Sequence, residues 1–252
     1  LRIGKPGEGL GEIDLPIERL PDGSPYVPGS SLKGSLRSLA ERLSPRACDV
    51  FSPLSECEVA AYLLKKALYE PNGMKKALED LSKRLKGDRT KRAESLLSRL
   101  KALEDLEGRE LTGKIVEELA NEGLPCPVCR LFGNKEMASH LVIKDLAPEA
   151  EPEVGYRTRV AIDRFRRAAR SQALFTYEFI LPGVRWGFKI KAYNVDLQGG
   201  GEISELLKEI LEYVRKFGLE VGGMKSVGHG LMRFEELKAT IEAWVRPIPR
   251  KV

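Results

Sequence analysis

Histidine is nearly missing from this sequence: there are two, His140 and His229, far apart in the chain. A histidine-pair ribonuclease mechanism is therefore poorly supplied. No H-E-x-x-H metal helix, Ser-His-Asp set or paired acid dyad stands out either. No apolar run approaches the roughly 18–20 residues that a membrane span requires. The first residues are rich in Gly and Glu and carry no secretory signal, so a cytoplasmic protein without membrane contact is expected. The sequence begins at Leu1 rather than Met, and native residues are expected upstream. A strong charge of one sign is also lacking. The net charge of +5 permits a polyanionic partner without demanding one, so its distribution must decide. Internal repeats and low-complexity tracts are absent.

What is present is an ordinary globular composition, with 42% hydrophobic and 31% charged residues over 252 positions. That length suits one large domain, or a domain carrying a sizeable insertion. Residues 1–28 are rich in glycine and proline and read as a long loop. Leu32, Leu36, Leu39, Ala40 and Leu43 then recur at helical spacing until Pro45. From Glu58 to Glu122, leucines alternate with charges of mixed sign, broken at Pro71-Asn72-Gly73 and Gly87-Asp88; this predicts several amphipathic helices. Strands are expected at His140–Asp145, Ala173–Leu181 and Val184–Ile190, the last from its two-residue alternation after Pro182-Gly183. Ile203 to Phe217 repeats the helical pattern. Two apolar stretches, Leu231–Leu237 and Thr240–Val245, close the chain. Long helices interleaved with strands predict an α+β sandwich with helices on one face of an antiparallel sheet.

Four motifs carry chemistry. In Pro28-Gly29-Ser30-Ser31-Leu32-Lys33-Gly34-Ser35-Leu36-Arg37, Ser30 or Ser31 is a natural N-cap, and a helix N-terminus attracts anions. Lys33 and Arg37 share a face distinct from the leucine face, and Gly34 permits close approach. The alternative is an ordinary capped helix with a solvated basic face. In Gly222-Gly223-Met224-Lys225-Ser226-Val227-Gly228-His229-Gly230, four glycines in nine residues allow concave nests of N–H groups, although neither a Walker loop nor a dinucleotide fingerprint is present. Tyr156 to Arg170 holds six arginines against one carboxylate, the most one-signed stretch in the chain. Arginine forks suit phosphates, and Tyr156 and Phe165 can stack on bases, whereas the plain reading is a solvated basic loop.

The fourth motif is Cys126-Pro127-Val128-Cys129. A C-x-x-C pair in a reducing compartment points to metal or redox chemistry, and the β-α-β context of a redox motif is lacking. Tetrahedral zinc needs four ligands, and Cys48 and Cys57 supply the other two, with His140 and His229 as alternatives. Asp14, in Ile13-Asp14-Leu15-Pro16, reads in isolation as turn chemistry.

Taken in order, these motifs resemble the RAMP superfamily, most closely the repeated backbone subunit of the type III-A CRISPR (Csm) effector complex. The resemblance rests on Ile13-Asp14-x-Pro16, the serine–lysine motif through Arg37, and Arg130-Leu131-Phe132-Gly133-Asn134. It continues through Ile143-Lys144-Asp145, Ile162-Asp163-Arg164, Gly222-Gly223 and Gly228-x-Gly230. It implies an α+β, ferredoxin-like (RRM-related) core spanning 1–252 as one RNA-binding domain. The residues themselves make 46–129 an inserted helical subdomain with a zinc-bound base, extras that the resemblance does not explain, and the resemblance makes 147–172 an arginine-rich thumb. Such subunits stack as a filament on guide (CRISPR) RNA beside the other Csm subunits. They cut complementary target RNA at regular intervals with Mg²⁺ or Mn²⁺. The resemblance makes Asp14 the catalytic residue, and Ser30, Ser31, Lys33, Gly34, Arg37, Arg159, Arg164, Gly222, Gly223 and Lys225 the RNA-binding set. A non-catalytic guide-RNA scaffold is the rival reading. A guide-processing ribonuclease of the same superfamily and a zinc hydrolase are the more distant ones.

Overall fold

The structure is a computed structural model that describes residues 1–4, 13–48, 55–84, 91–103, 105–198, 200–236 and 238. The leucine periodicity after Pro28 becomes helix α1 (Gly29–Leu43). It buries Leu32, Leu36 and Leu39 and ends as the Ser44 N–H donates to Ala40 O. The predicted helical stretch resolves into α2 (Glu56–Tyr69), α3 (Met74–Arg84), α4 (Lys91–Lys101) and α5 (Gly108–Asn121). A 3-10 turn occupies the predicted break at Pro71–Gly73, and the Gly87-Asp88 break lies outside the described residues. Helix α2 starts at a capping box: the Ser55 side chain accepts from the Glu58 N–H and Glu58 returns a bond to the Ser55 N–H.

These four helices bury their own apolar cluster, with Leu63, Leu78, Leu81, Leu96, Leu100, Leu111 and Ile115 at its centre. A separate cluster joins α1 to the short α6 (Pro127–Phe132) and the long α7 (Glu202–Phe217). On α7, Leu206, Leu207, Ile210 and Val214 lie inward at helical spacing, each contributing about 1.5–3 kcal/mol of burial. Two apolar clusters are therefore present among the described residues, and the four cysteines belong to the one built on α1, α6 and α7.

The strands are β1 (Leu141–Ile143), β2 (Ala147–Pro148), β3 (Val154–Asp163), β4 (Ala168–Ile180), β5 (Trp186–Gly187), β6 (Ile190–Ala192), β7 (Leu219–Glu220) and β8 (Leu231–Met232). All pair antiparallel, as β1–β6, β2–β5, β3–β4 and β7–β8. Among the described residues they form four two-stranded pairs rather than one continuous sheet. The β2–β5 pair is only two residues long and is made with Pro148 and Gly187, a proline that lacks a donor and a glycine that weakens a strand, and Pro182-Gly183 separates β4 from β5. The fold is thus mixed α and β, with small sheets beside the helices. The last apolar stretch, Thr240–Val245, lies outside the described residues.

Part of the predicted N-terminal loop runs along the outer edge of β4. Leu15 pairs with Tyr177 in parallel, and the Glu178 N–H donates to Leu15 O. Glu178 is buried and satisfied on both oxygens, accepting from the Ile17 N–H (2.9 Å) and from Arg19 (3.2 Å). The Arg19 partner is more than a third exposed, so the firm part of this anchor is the backbone bond.

Candidate nucleic-acid interface and metal centre

The arginine-rich stretch is a hairpin and not a solvated loop. Strands β3 and β4 pair Val154 with Ile180 at the root and Asp163 with Ala168 near the tip, with a register shift between Val160 and Ile162. Asp163, the stretch's lone carboxylate, is spent on the turn: its Oδ1 accepts from the Phe165 N–H (2.9 Å) and the Arg166 N–H (3.0 Å). Arg164, Arg166, Arg167 and Arg170 are exposed around it. Phe165 is 98% exposed at the tip and Tyr156 is exposed near the root, so both rings are free to stack. Lower down, Arg157 lies over Phe179 (5.5 Å) and Arg159 over Tyr177 (5.3 Å). These cation–π contacts hold two guanidiniums along one face of the hairpin.

Asp14 sits beside this root. Its Oδ2 accepts from the Thr176 N–H at 2.7 Å, and its own N–H donates to Thr176 O at 3.0 Å. The sequence alone reads Asp14 as a turn residue; instead the carboxylate caps a backbone donor 162 residues away. The side chain is exposed, and its second oxygen has no partner among the described residues. One carboxylate oxygen is thus fixed while the other is free to accept a proton or bind a cation.

The serine–lysine motif differs from its sequence reading. Pro28, not a serine, is the N-cap of α1, and it makes no side-chain cap bond. The cap comes from far along the chain: Asp145 Oδ1 accepts from the Gly29 N–H at 2.7 Å. A Cβ on Gly29 would meet Ile143 O at 2.4 Å, so glycine is needed for β1 to approach the helix end. The protein's own carboxylate thus occupies part of the expected anion site. Ser30 and Gly34 are exposed, and Ser31 and Lys33 are half-buried. Burial, then the neighbouring Arg37, hold the Lys33 ammonium below the ordinary lysine value, so an approaching anion relieves it. Arg37 turns inward. It donates through Nη1 to Gly133 O (2.7 Å), through Nε to Glu41 (3.0 Å) and through Nη2 to Cys129 Sγ (3.6 Å).

The glycine loop closes on the chain's own first residues. The Gly223 N–H donates to Arg2 O (2.9 Å), and a Cβ on Gly222, whose φ is +87°, would stand 2.2 Å from that oxygen. Gly230 (φ +93°) presses as closely on Val221 O. These glycines serve close backbone packing first. Lys225 is exposed on the 3-10 turn Lys225–Val227.

Cys48, Cys57, Cys126 and Cys129 come together, all four buried, with their sulfurs within 4.8 Å of one another. Four thiolates around one tetrahedral zinc at about 2.3 Å stand roughly 3.8 Å apart, so this donor set fits such an ion. Cys48 and Cys129 sulfurs lie 3.3 Å apart, and the Cys126 N–H donates to Cys57 Sγ (3.1 Å). The crowded thiols cannot all ionise without a cation. Hydrogen bonding to Cys126 pushes Cys57 and Cys48 up, while the bonds that Cys126 receives from Cys129, Cys48 and Cys57 hold it down. The cluster draws on residues that flank α2 to α5 in the chain, Cys48 and Cys57 before or at the start of α2 and Cys126 and Cys129 after α5. His140 and His229 are not members: His140 Nδ1 bonds Tyr193 O (2.7 Å) and His229 Nε2 faces the Tyr177 hydroxyl (3.3 Å).

A family model described as the RAMP superfamily matches residues 1–233. The chain belongs to the RAMP superfamily. A comparison with curated proteins finds no match. Among solved structures, a chain of the "Cryo-EM structure of the Type III-B Cmr-beta bound to cognate target RNA" is similar. It shares 15% identity with a TM-score of 0.40, over 92% of this chain and 91% of that chain. No helix among the described residues of this RAMP protein is long and apolar enough to cross a membrane.

Sequence reasoning missed Asp145 as the cap of α1, Thr176 as the partner of Asp14, and Arg37 as a neighbour of Cys129. Ile143-Lys144-Asp145 stands in the matched pattern, yet nothing local ties its carboxylate to Gly29. Spacing could not reveal these contacts, because each joins segments about 90 to 160 residues apart.

Proposed function

We propose that this RAMP protein is a backbone subunit of a type III CRISPR effector complex of the Csm kind. On this reading its core is ferredoxin-like, and copies assemble as a filament on guide RNA with the other subunits. Each copy cleaves paired target RNA at regular intervals. The observation that carries the reading is the placement of Asp14, with one free carboxylate oxygen, on the edge of the strand that forms the arginine hairpin. Family membership over residues 1–233 supports RNA as the partner.

The division of labour follows from the chemistry. Exposed Arg164 and Phe165 at the hairpin tip are suited to gripping phosphate and wedging a base out of the duplex. Arg159, Lys33 and Lys225, with Ser30, Ser31, Gly34 and the Gly222-Gly223 turn, would follow the guide backbone. Arg37 was grouped with them on spacing, and its inward bonds favour a supporting role instead. Displacing a nucleotide lets its 2′-oxygen, phosphorus and leaving 5′-oxygen come into line. As the 2′-O–P bond forms and the P–O5′ bond breaks, Asp14 would accept the 2′ proton and water would protonate the leaving 5′-oxygen; alternatively Asp14 would be the carboxylate that holds Mg²⁺ or Mn²⁺, which would supply charge neutralisation at the phosphate. The cysteine centre would hold zinc in a structural role, since four sulfur ligands leave no open position for water.

A guide-RNA scaffold without catalysis is the second reading, and it would leave Asp14 as a strand cap only. The two separate by removing charge at the hairpin and at Asp14 in parallel. Arg159→Gln with Arg164→Gln should weaken RNA binding, whereas Asp14→Ala should abolish cutting and spare binding. Cutting that survives Asp14→Ala would favour the scaffold.

A further inference from the structure

Arg2 is only 8% exposed, yet among the described residues its guanidinium makes no ion pair or hydrogen bond, and Nε is buried without a partner. Holding a largely buried charge without a partner is unfavourable, so the position favours an anion. Further cations gather around the neighbouring His229. Arg157 and Arg159 stand over Phe179 and Tyr177, and both rings meet His229 edge-on at 5.3 and 5.7 Å. Burial, with Arg157, Arg159 and Arg2 close by, holds the imidazole of His229 below its ordinary value.

Access comes from the glycine loop. A Cβ on Gly223 would press on Arg2 Nη1 at 3.1 Å, so glycine leaves that side of the guanidinium uncovered. The Gly223 N–H also donates to Arg2 O, which fixes the residue against the loop. A groove of about 1270 Å³ runs alongside, lined in part by Arg157, Phe179, Gly228 and His229.

We propose that Arg2, Arg157, Arg159 and His229 form a binding site for a phosphoryl oxyanion between the glycine loop and the root of the arginine hairpin. A phosphoryl group fits better than a carboxylate, because its tetrahedral oxygens can be shared among donors arriving from separate segments. Two sources carry this chemistry, the backbone of single-stranded RNA and free phosphate. The RNA source rests on the function proposed above; the site itself does not. Arg2 is its anchor because, among the described residues, its largely buried guanidinium has no ion-pair or hydrogen-bond partner.

The test uses the full chain, with inorganic phosphate and single-stranded oligouridylate as probes, and compares wild type with Arg2→Met and Arg2→Lys. Phosphate should raise the melting temperature of wild type and of Arg2→Lys, and leave Arg2→Met unmoved. Without anion, Arg2→Met should melt at or above wild type, because it removes an unpaired buried charge; a merely structural arginine would lower it. With RNA, Arg2→Met should lose roughly 0.7 from the slope of log K against log salt, the share of one phosphate contact on a single strand. A lost phosphate shift with an unchanged RNA slope keeps the site and rejects RNA as its source. A phosphate shift in wild type that binds no RNA keeps the site and overturns the proposed function. If Arg2→Met retains both the phosphate shift and the wild-type slope, the site is overturned while RNA binding stands. Should Arg2→Met fail to fold, the His229 ring resonances of wild type decide: they must move on phosphate addition, and their silence overturns the site.

Discussion

Asp14 and Thr176 are bonded in both directions, carboxylate to N–H at 2.7 Å and N–H to carbonyl at 3.0 Å. This ties a candidate catalytic carboxylate to the hairpin that would grip RNA. The carboxylate bond is solvent-exposed, so Asp14→Ala should cost about 1 kcal/mol or less in urea denaturation. Asp14→Asn, which keeps an acceptor, should cost less still. A loss of several kcal/mol in either variant would mean that Asp14 is a structural keystone.

Asp145 should stabilise α1. Removing the carboxylate that receives the Gly29 N–H frees a helix N-terminus, for which about 0.5–2 kcal/mol is usual. Asp145→Ala should fall in that range by denaturant titration, and Ser30→Ala should be nearly neutral. The reverse order would restore the serine as the cap.

The cysteine centre predicts about one zinc per chain by elemental analysis, lost in Cys126→Ser with Cys129→Ser. Arg37 donates to Cys129 Sγ and sits against the thiolates as a fixed positive charge. Arg37→Gln should weaken zinc retention against a chelator by about 10–100-fold, the usual effect of removing a ligand's hydrogen-bond partner. Unchanged retention would return Arg37 to the RNA-binding set.

RNA affinity should fall steeply with salt. Neutralising Lys33, Arg159, Arg164 or Lys225 singly should each remove roughly 0.7 from the slope of log K against log salt. Removing the Phe165 ring should leave the slope alone and lower affinity by the roughly 1–3 kcal/mol of one stacked base. A variant that changes neither slope nor affinity lies outside the interface.

Local pattern carried the helices well. The leucines of α1 and α7, the broken run of the insertion and the C-x-x-C pair all signalled their structures, because helical periodicity and ligand spacing are short-range properties. The gathering of the four cysteines was legible too, since tetrahedral zinc demands four ligands and the chain offers four thiols. What could not be read was the contact between distant segments. Asp14 looks like a turn residue and Asp145 like the end of a strand, because nothing nearby in sequence shows the backbone donors they meet. Arg37 looked like a phosphate ligand because it is four residues from Lys33, and only the packing of α6 against α1 turns it inward. The strands are expected as one layer, and among the described residues they form two-stranded pairs, with proline and glycine keeping strands such as β2 and β5 short.

The most direct test is target-RNA cleavage by the assembled complex in Mg²⁺ or Mn²⁺, comparing wild type with Asp14→Ala at equal assembly and equal RNA occupancy. The account predicts regularly spaced cuts ending in 2′,3′-cyclic phosphate and 5′-OH with wild type, blocked by a 2′-deoxy nucleotide at the cut position. With Asp14→Ala it predicts intact bound RNA. Undiminished cutting by a fully assembled Asp14→Ala complex would contradict it and place the chemistry elsewhere.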